Sequence, residues 1–540
     1  MLHALCSCRA SLTVAALSLT SSLVASPGRA QGNRHQHDGA LSKSAPAVQL
    51  GSISFPTSAP PAAQAKFLEG MLYMHSFEYA DARAAFREAQ RLSPAFALAY
   101  WGEAMTLHHP VWNQQEPDTA RAILARLAST PRARAALAPT AREQAWLATA
   151  EVLYGEGSKA RRDTLWLREM QRLAADYPDD DEVQSITALA WLGLNQGVRS
   201  VPDYMRAGAI AQRVFERSPR HPGAAHVVIH SFDDPTHAVL GLPAARAYSA
   251  IAPTAAHAQH MTTHIFLALG MWDESNAQNT IALNASGGLS GHYLLWLAYG
   301  YQQQGRFRAA SVLLDSARAR AASGRGRLST AVAEVRAAQV LTASAWTSPL
   351  LTGLLDEAGN DYARALNAFT VGIAAANRLD SAAARTAWRR LAGMREAATG
   401  ADAGAATWRR QLRVMVHLVE ASIAAVEGTL PRAVELARAA TVLNDSLPVE
   451  FGPPLIPLPP YEALGDLLLK SGRAADAQRA FTTALERNPG RSPALAGLLR
   501  AASAAGDTAV AIDARATLAR NWRSADERGG PARAGSAAPR

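Results

Sequence analysis

A pattern recurring every thirty-four residues limits this chain more than anything else in its 540 residues. Near the C-terminus, Tyr461, Leu464, Gly465, Gly472, Ala477, Phe481, Ala484 and Pro489 stand at intervals that partly return one period later as Leu495, Leu498, Gly506 and Ala511. The same internal spacing occurs near the start as Gly70, Tyr73, Ala82, Phe86, Ala89 and Pro94. Small residues at fixed places let two helices approach closely, a glycine makes the turn between them, and a proline closes the unit. One such unit cannot bury its apolar face; stacked copies can. The expected class is therefore all-α, a solenoid of stacked helix pairs. An Ala- and Arg-rich chain with 49% apolar and 18% charged residues agrees with this.

These residues resemble the tetratricopeptide repeat (TPR) family, with Tyr461 at the usual Trp place and Leu468 at the usual Tyr place, and the resemblance covers most of residues 61 to 522. It implies a superhelix whose concave surface is lined mainly by the first helix of each pair. It also implies binding of peptides or partner proteins.

Seven of the fifteen histidines fall between residues 221 and 264, in HPGAAHVVIHSFDDPTHA and HAQHMTTH. If Pro219 and Pro253 close successive units, His226 aligns with His260 and His230 with His264, thirty-four residues apart. His226 and His230 are i and i+4, and His257, His260 and His264 are i, i+3 and i+7, so each set shares one helix face. Packed helices lie ~8 to 10 Å apart, a gap that opposed imidazoles can bridge through an ion or a water. His226, His230, His260 and His264 are thus candidate ligands for a divalent metal, zinc first and copper or iron as alternatives. Asp233, Asp234, His257, His292 and His75 fall at neighbouring register positions and are assigned to the same pocket. In AYWGEAMTLHHPVW, residues 99 to 112, Glu103, His108 and His109 stand where Pro110 forces the chain out of its helix, either as a packed helix end or as a second pocket wall.

Residues 1 to 30 read as a signal peptide, with Arg9 before an apolar stretch from Ser11 to Val24 and a small-residue site ending at Ala30. The expected location is periplasmic or secreted. Both cysteines, Cys6 and Cys8, lie within that leader, so a metal site in the mature chain must use histidine and carboxylate. Residues 31–60 read as a flexible linker, 61–345 as the TPR-like array with the histidine pocket, and 346–445 as helical but outside the repeat. Residues 446–460, SLPVEFGPPLIPLPP, must be extended and either link two blocks or lie across the groove. Residues 461–522 are C-terminal repeats and 523–540 a disordered tail.

The net charge of +9 does not mark a nucleic-acid surface, because three of the nine charges sit in residues 1–50 and three in residues 519–540. After the leader, no segment approaches the ~20 apolar residues of a membrane span. No nucleotide or haem motif occurs, and no HExxH or GxSxG.

HPGAAHVVIH, HAQHMTTHIFLALGMW, WGEAMTLHHPVW and PTAREQAWLATAEVLYGEG together resemble a group of large bacterial TPR proteins, similar more distantly to the tetratricopeptide repeat protein 38 group. The resemblance implies the fold and carries no assigned reaction. The expectation is an exported scaffold that binds a metal and a peptide or small ligand in a histidine-lined concave pocket. Two alternatives stand beside it. One is a metal-dependent hydrolase using the four histidines, with Asp234 or Glu103 as base. The other is an interaction array whose histidines are structural or change charge near pH ~6.5.

Overall fold

The computed structural model describes residues 49–195, 199–288, 290–322, 329–448 and 451–526. The expected leader and most of the expected tail lie outside these residues. Among the described residues there are twenty-four α-helices, and the only sheet is a two-residue antiparallel ladder, His108–His109 against Gln114–Gln115. No helix among the described residues is long and apolar enough to cross a membrane.

Helices pair as the period requires. In the first unit, Pro61–His75 and Tyr79–Leu92 pack by seating the Phe86 ring in gaps left by glycines, since a Cβ on Gly70 would stand 2.7 Å from that ring and one on Gly102 2.5 Å. The C-terminal unit repeats the device, with Phe481 against Gly465 and Gly497 at 2.7 and 2.2 Å. Both rings are essentially inaccessible to solvent. Several turns between paired helices use a left-handed residue, and glycine fills it at Gly270, Gly305, Gly472 and Gly506. In the first unit the same turn position is Phe77, at φ 56°.

Three consecutive pairs carry the histidine rows. Their first helices are Pro222–Phe232, Ala256–Ala268 and Gly291–Gln303, and their second helices are Ala238–Ile251, Trp272–Ala285 and Phe307–Ala322. Every side chain of Pro222–Phe232 is buried, and so is every one after the first residue of Ala256–Ala268. A first helix buried all round is not the wall of an open groove. Segments from both sides of the described chain pack against these three pairs. From the N-terminal side, Ser52 N–H donates to the Arg220 carbonyl at 3.0 Å, the His257 N–H donates to Glu78 at 3.1 Å, and Tyr248 Oη donates to Ser76 Oγ at 3.3 Å. From the C-terminal side, Trp272 Nε1 donates to the Gly490 carbonyl at 3.1 Å, and Gln303 Oε1 accepts from Ser492 N–H at 3.1 Å.

Two segments differ from the sequence expectation. Residues 49–60, expected within a flexible linker, are extended but packed, with Leu50 and Phe55 buried and the Phe55 ring 5.0 Å from Phe67 and 5.1 Å from Trp146. Proline and serine there preclude a helix; they do not preclude two apolar side chains docking in a ready-made core. In the proline-rich stretch, the described residues from Phe451 onward form no regular helix or strand before Pro460, and Phe451 stacks against His264 at 5.1 Å. Between 346 and 445 the helices Asp361–Asn377, Ser381–Ala397, Ala403–Val426 and Leu430–Asp445 run 16 to 24 residues, against 15 and 14 in the first unit, and the thirty-four-residue spacing is lost.

Candidate functional site

Eight histidines meet inside the molecule: His75, His221, His226, His230, His257, His260, His264 and His292, none more than 5% exposed. They come from five places in the chain, the end of the first helix, the cap and body of Pro222–Phe232, and the next two first helices. Ring centroids step through the interior from His75 to His221 at 5.0 Å, His226 to His230 at 4.8 Å, His226 to His257 at 5.0 Å, His260 to His264 at 5.0 Å and His260 to His292 at 4.5 Å.

The hydrogen bonds fix which nitrogen of several rings carries the proton. His226 Nδ1–H donates to the His75 carbonyl at 2.7 Å, and His226 Nε2 has no hydrogen-bond partner. His264 Nδ1–H donates to Asp233 Oδ2 at 3.0 Å. His260 Nδ1–H donates to Asn279 Oδ1 at 2.8 Å, and the orientation of that amide is set by its Nδ2, which donates to the Tyr293 carbonyl at 2.6 Å. His230 Nε2 is also buried without a hydrogen bond, while its Nδ1 lies 3.6 Å from Asp233. A carboxylate or carbonyl behind a histidine, presenting the opposite nitrogen forward, is the usual support of a metal ligand.

Charge is distributed accordingly. Burial pushes the Asp233 carboxyl up, but Arg199 and the hydrogen bonds from His230 and His264 overcome it and hold the group well below the usual carboxylate range. Burial, reinforced by the neighbouring His230, holds His226 far below the ordinary imidazole value, so the ring is neutral near pH 7. Burial lowers His264 too, against the pull of Asp233.

Four groups have ligand atoms all within 4.8 Å of one another and could hold a metal: His226, His230 and His257; His260, His264 and His292; His75, Glu182 and His221; and His230, Asp233 and His264. The four histidines singled out by the repeat register are therefore brought together, but divided between two groups, with His257 and His292 as the third members. His75, expected in the pocket, joins Glu182 and His221.

The remaining candidates are placed differently. Glu103 is buried and committed elsewhere: one oxygen accepts from Arg87 at 2.7 Å, the other from Gln90 at 2.7 Å and from Arg126. Asp234 accepts from Arg199 at 3.0 Å and from the His237 ring at 2.9 Å, and it also accepts the Thr236 and His237 amides in the turn before the following helix. His109 stacks on Tyr79 at 4.1 Å. His108 sits edge-on to Trp166 and lines a narrow cavity with His75, Phe77 and His226; its Nε2 has no hydrogen bond, and burial lowers it well below the imidazole range.

Four further residues belong to the site. Glu182 accepts from His75 Nε2–H at 2.8 Å and lies 3.1 Å from His221 Nε2. Burial opposes its charge, and the two histidines outweigh burial and hold it below the usual range. In the sequence Glu182 reads as an ordinary helix-start acid. Asn279 and Arg199 gave no signal. Phe77 did, because it stands where other units place glycine. A bulky residue held left-handed costs on the order of 1–3 kcal/mol, and its ring covers His226, His257 and His230 at 4.1, 5.5 and 5.8 Å.

Stacked helix pairs around a buried polar interior make this an α-helical repeat protein. The tetratricopeptide repeat profile matches residues 63–96, so the chain carries a repeat of that type there. No curated protein sequence matches it. Among solved structures, it is similar to the human IFIT1 dimer with m7Gppp-AAAA, at 14% identity over 86% of this chain and 91% of that one, with a TM-score of 0.31. It is also similar to the Naa15/Naa10 complex bound to HypK-THB, at 12% identity over 85% and 70% of the two chains, with a TM-score of 0.24. Scores this low carry no argument about the site. The comparisons support the repeat family and nothing narrower.

Proposed function

We propose that this chain is an exported repeat scaffold whose interior carries a histidine-bound divalent metal, with its outer repeat surfaces available to protein or peptide partners. The observation that carries the metal reading is the pair His226 Nε2 and His230 Nε2. Both are buried without a hydrogen bond, both look into the array, and His226 is fixed from behind by the His75 carbonyl. An unsatisfied buried acceptor costs about 1–3 kcal/mol, and coordination removes that cost. Imidazole suits zinc, copper and iron; zinc comes first because three neutral imidazoles are an established zinc donor set.

The hydrolase alternative finds less support. A three-histidine group leaves a coordination position for water, but both carboxylates assigned as base are held by arginine: Glu103 by Arg87 and Arg126, and Asp234 by Arg199.

Elemental analysis of the tag-free protein, beside a His226→Ala, His260→Ala double variant, tests the metal reading. Near-stoichiometric metal that the variant loses is the expected result. Absence of metal after incubation with zinc, copper and iron would overturn it. Export is tested separately by the intact mass of the mature chain, expected to begin at Gln31.

A further inference from the structure

We infer that the array holds two metal ions: one bound by His226, His230 and His257, the other by His260, His264 and His292, with the Asp233 carboxylate standing behind a ligand of each. This deepens the metal reading above and rests on it.

The distances divide the six rings in this way. Within each group the ligand atoms lie no more than 4.8 Å apart. A tetrahedral ion with metal–nitrogen bonds of ~2.0–2.1 Å sets its nitrogens about 3.3 Å apart. In the second group one edge is already that short, with His260 Nε2 and His264 Nε2 facing each other at 3.1 Å. Both rings donate from Nδ1, to Asn279 and to Asp233, so in the neutral rings two lone pairs point at one another. That contact is repulsive until a cation enters between them. In the first group the forward nitrogens of His226 and His230 carry no hydrogen bond, and His257 brings the third ring.

Each group has its own aromatic wall. Phe77, in its left-handed turn, faces His226, His230 and His257. Trp296 faces His264, His260 and His292 at 4.4, 5.0 and 5.3 Å. Between them stands Asp233, whose Oδ2 lies 3.0 Å from His264 Nδ1 and 3.6 Å from His230 Nδ1, so one carboxylate supports a ligand of each ion from its far side. It also supplies negative charge between the two.

The other two groups do not add ions. In His230, Asp233 and His264 the carboxylate meets the rings on the nitrogens that face away from the two sites. In His75, Glu182 and His221, the acid accepts a hydrogen bond from His75 Nε2–H at 2.8 Å, His221 Nδ1 accepts the Ala224 N–H at 3.2 Å and His221 Nε2 lies 3.1 Å from the acid, so these ligand atoms are already engaged as a brace.

The test is zinc stoichiometry on the full mature chain, stripped with a chelator, reloaded with zinc and freed of excess by gel filtration. The expected values are two zinc per chain in the wild type and one in each of His230→Ala and His292→Ala, with circular dichroism confirming that both variants keep their helices. X-ray absorption of the wild type, expected to show about three imidazoles per zinc, decides the matter if either variant fails to fold. A single zinc lost alike from both variants would overturn the two-ion arrangement and leave the metal reading intact. Two zinc retained in both variants would place the ions elsewhere and overturn the inference. No zinc in the wild type would overturn both.

Discussion

Replacing Asp233 by Asn preserves shape and removes the negative charge together with the ability of both oxygens to accept. In the native protein Oδ1 faces Arg199, and Oδ2 faces His264 Nδ1 at 3.0 Å and His230 Nδ1 at 3.6 Å. An amide has one acceptor and one donor, so one side must lose. If its NH2 turns to Arg199, donors oppose each other in a buried site. Arg199 still has Asp234 and the Ser231 carbonyl, each at 3.0 Å, so the loss is one charge-assisted bond of about 1.5–3 kcal/mol. If the NH2 turns to His264, that ring must accept at Nδ1 and carry its proton on Nε2, which removes the lone pair facing His260. Either way the metal-free Asp233→Asn protein is expected to lose about 2–3 kcal/mol in urea unfolding, and zinc affinity is expected to fall 10- to 100-fold, roughly the effect of losing an outer-shell partner. Urea titration followed by helical circular dichroism measures the first, and competition with a chromophoric chelator the second. Stability within about 0.5 kcal/mol of wild type together with unchanged zinc affinity would refute the role given to this carboxylate.

Other outcomes follow from the same geometry. Phe55→Ala should cost about 3–5 kcal/mol, as for a core aromatic, if residues 49–60 are structural; a cost near zero would return them to a linker. Gly223→Ala would ordinarily favour a helix by about 1 kcal/mol, but its Cβ would lie 2.1 Å from His75 Nδ1, so urea unfolding should instead show a loss of about 1–3 kcal/mol. Acid should destabilise the metal-free protein in two stages. Burial keeps His108, His226 and His264 below the ordinary imidazole value, so the unfolded chain binds more protons as pH falls below ~6.5, and each contributes a loss of about 1.4 kcal/mol per pH unit until its folded value is reached. Asp233 and Glu182, held low by Arg199 and by histidines against the effect of burial, add a second loss as pH falls through about 4. Urea midpoints at pH 7.5, 6.0 and 5.0 check the first stage, and a flat profile would contradict it.

The fold was legible because the period is a local signal. Gly70, Phe86 and Pro94 repeat the spacing of Gly465, Phe481 and Pro489, and the packing that makes those residues necessary is the same in both units. The register also placed His226 with His230, and His260 with His264, on facing helices. It could not say what covers them. That depends on contacts over long stretches of chain, such as the His75 carbonyl meeting His226, 151 residues away, and no periodic pattern encodes such contacts. The expected open groove is for this reason a buried interior. Glu103 and Asp234 drew notice as acids near histidines, and their arginine partners were equally invisible. Phe77 was the legible residue that went unread, a bulky side chain where the repeat calls for glycine.

The central claim is that the buried imidazoles are metal ligands, and anomalous scattering from a zinc-loaded crystal tests it most directly. The account predicts peaks at the zinc edge inside the ring of His226, His230 and His257 and inside that of His260, His264 and His292. Anomalous density confined to surface residues, with no peak among these six histidines, would contradict it.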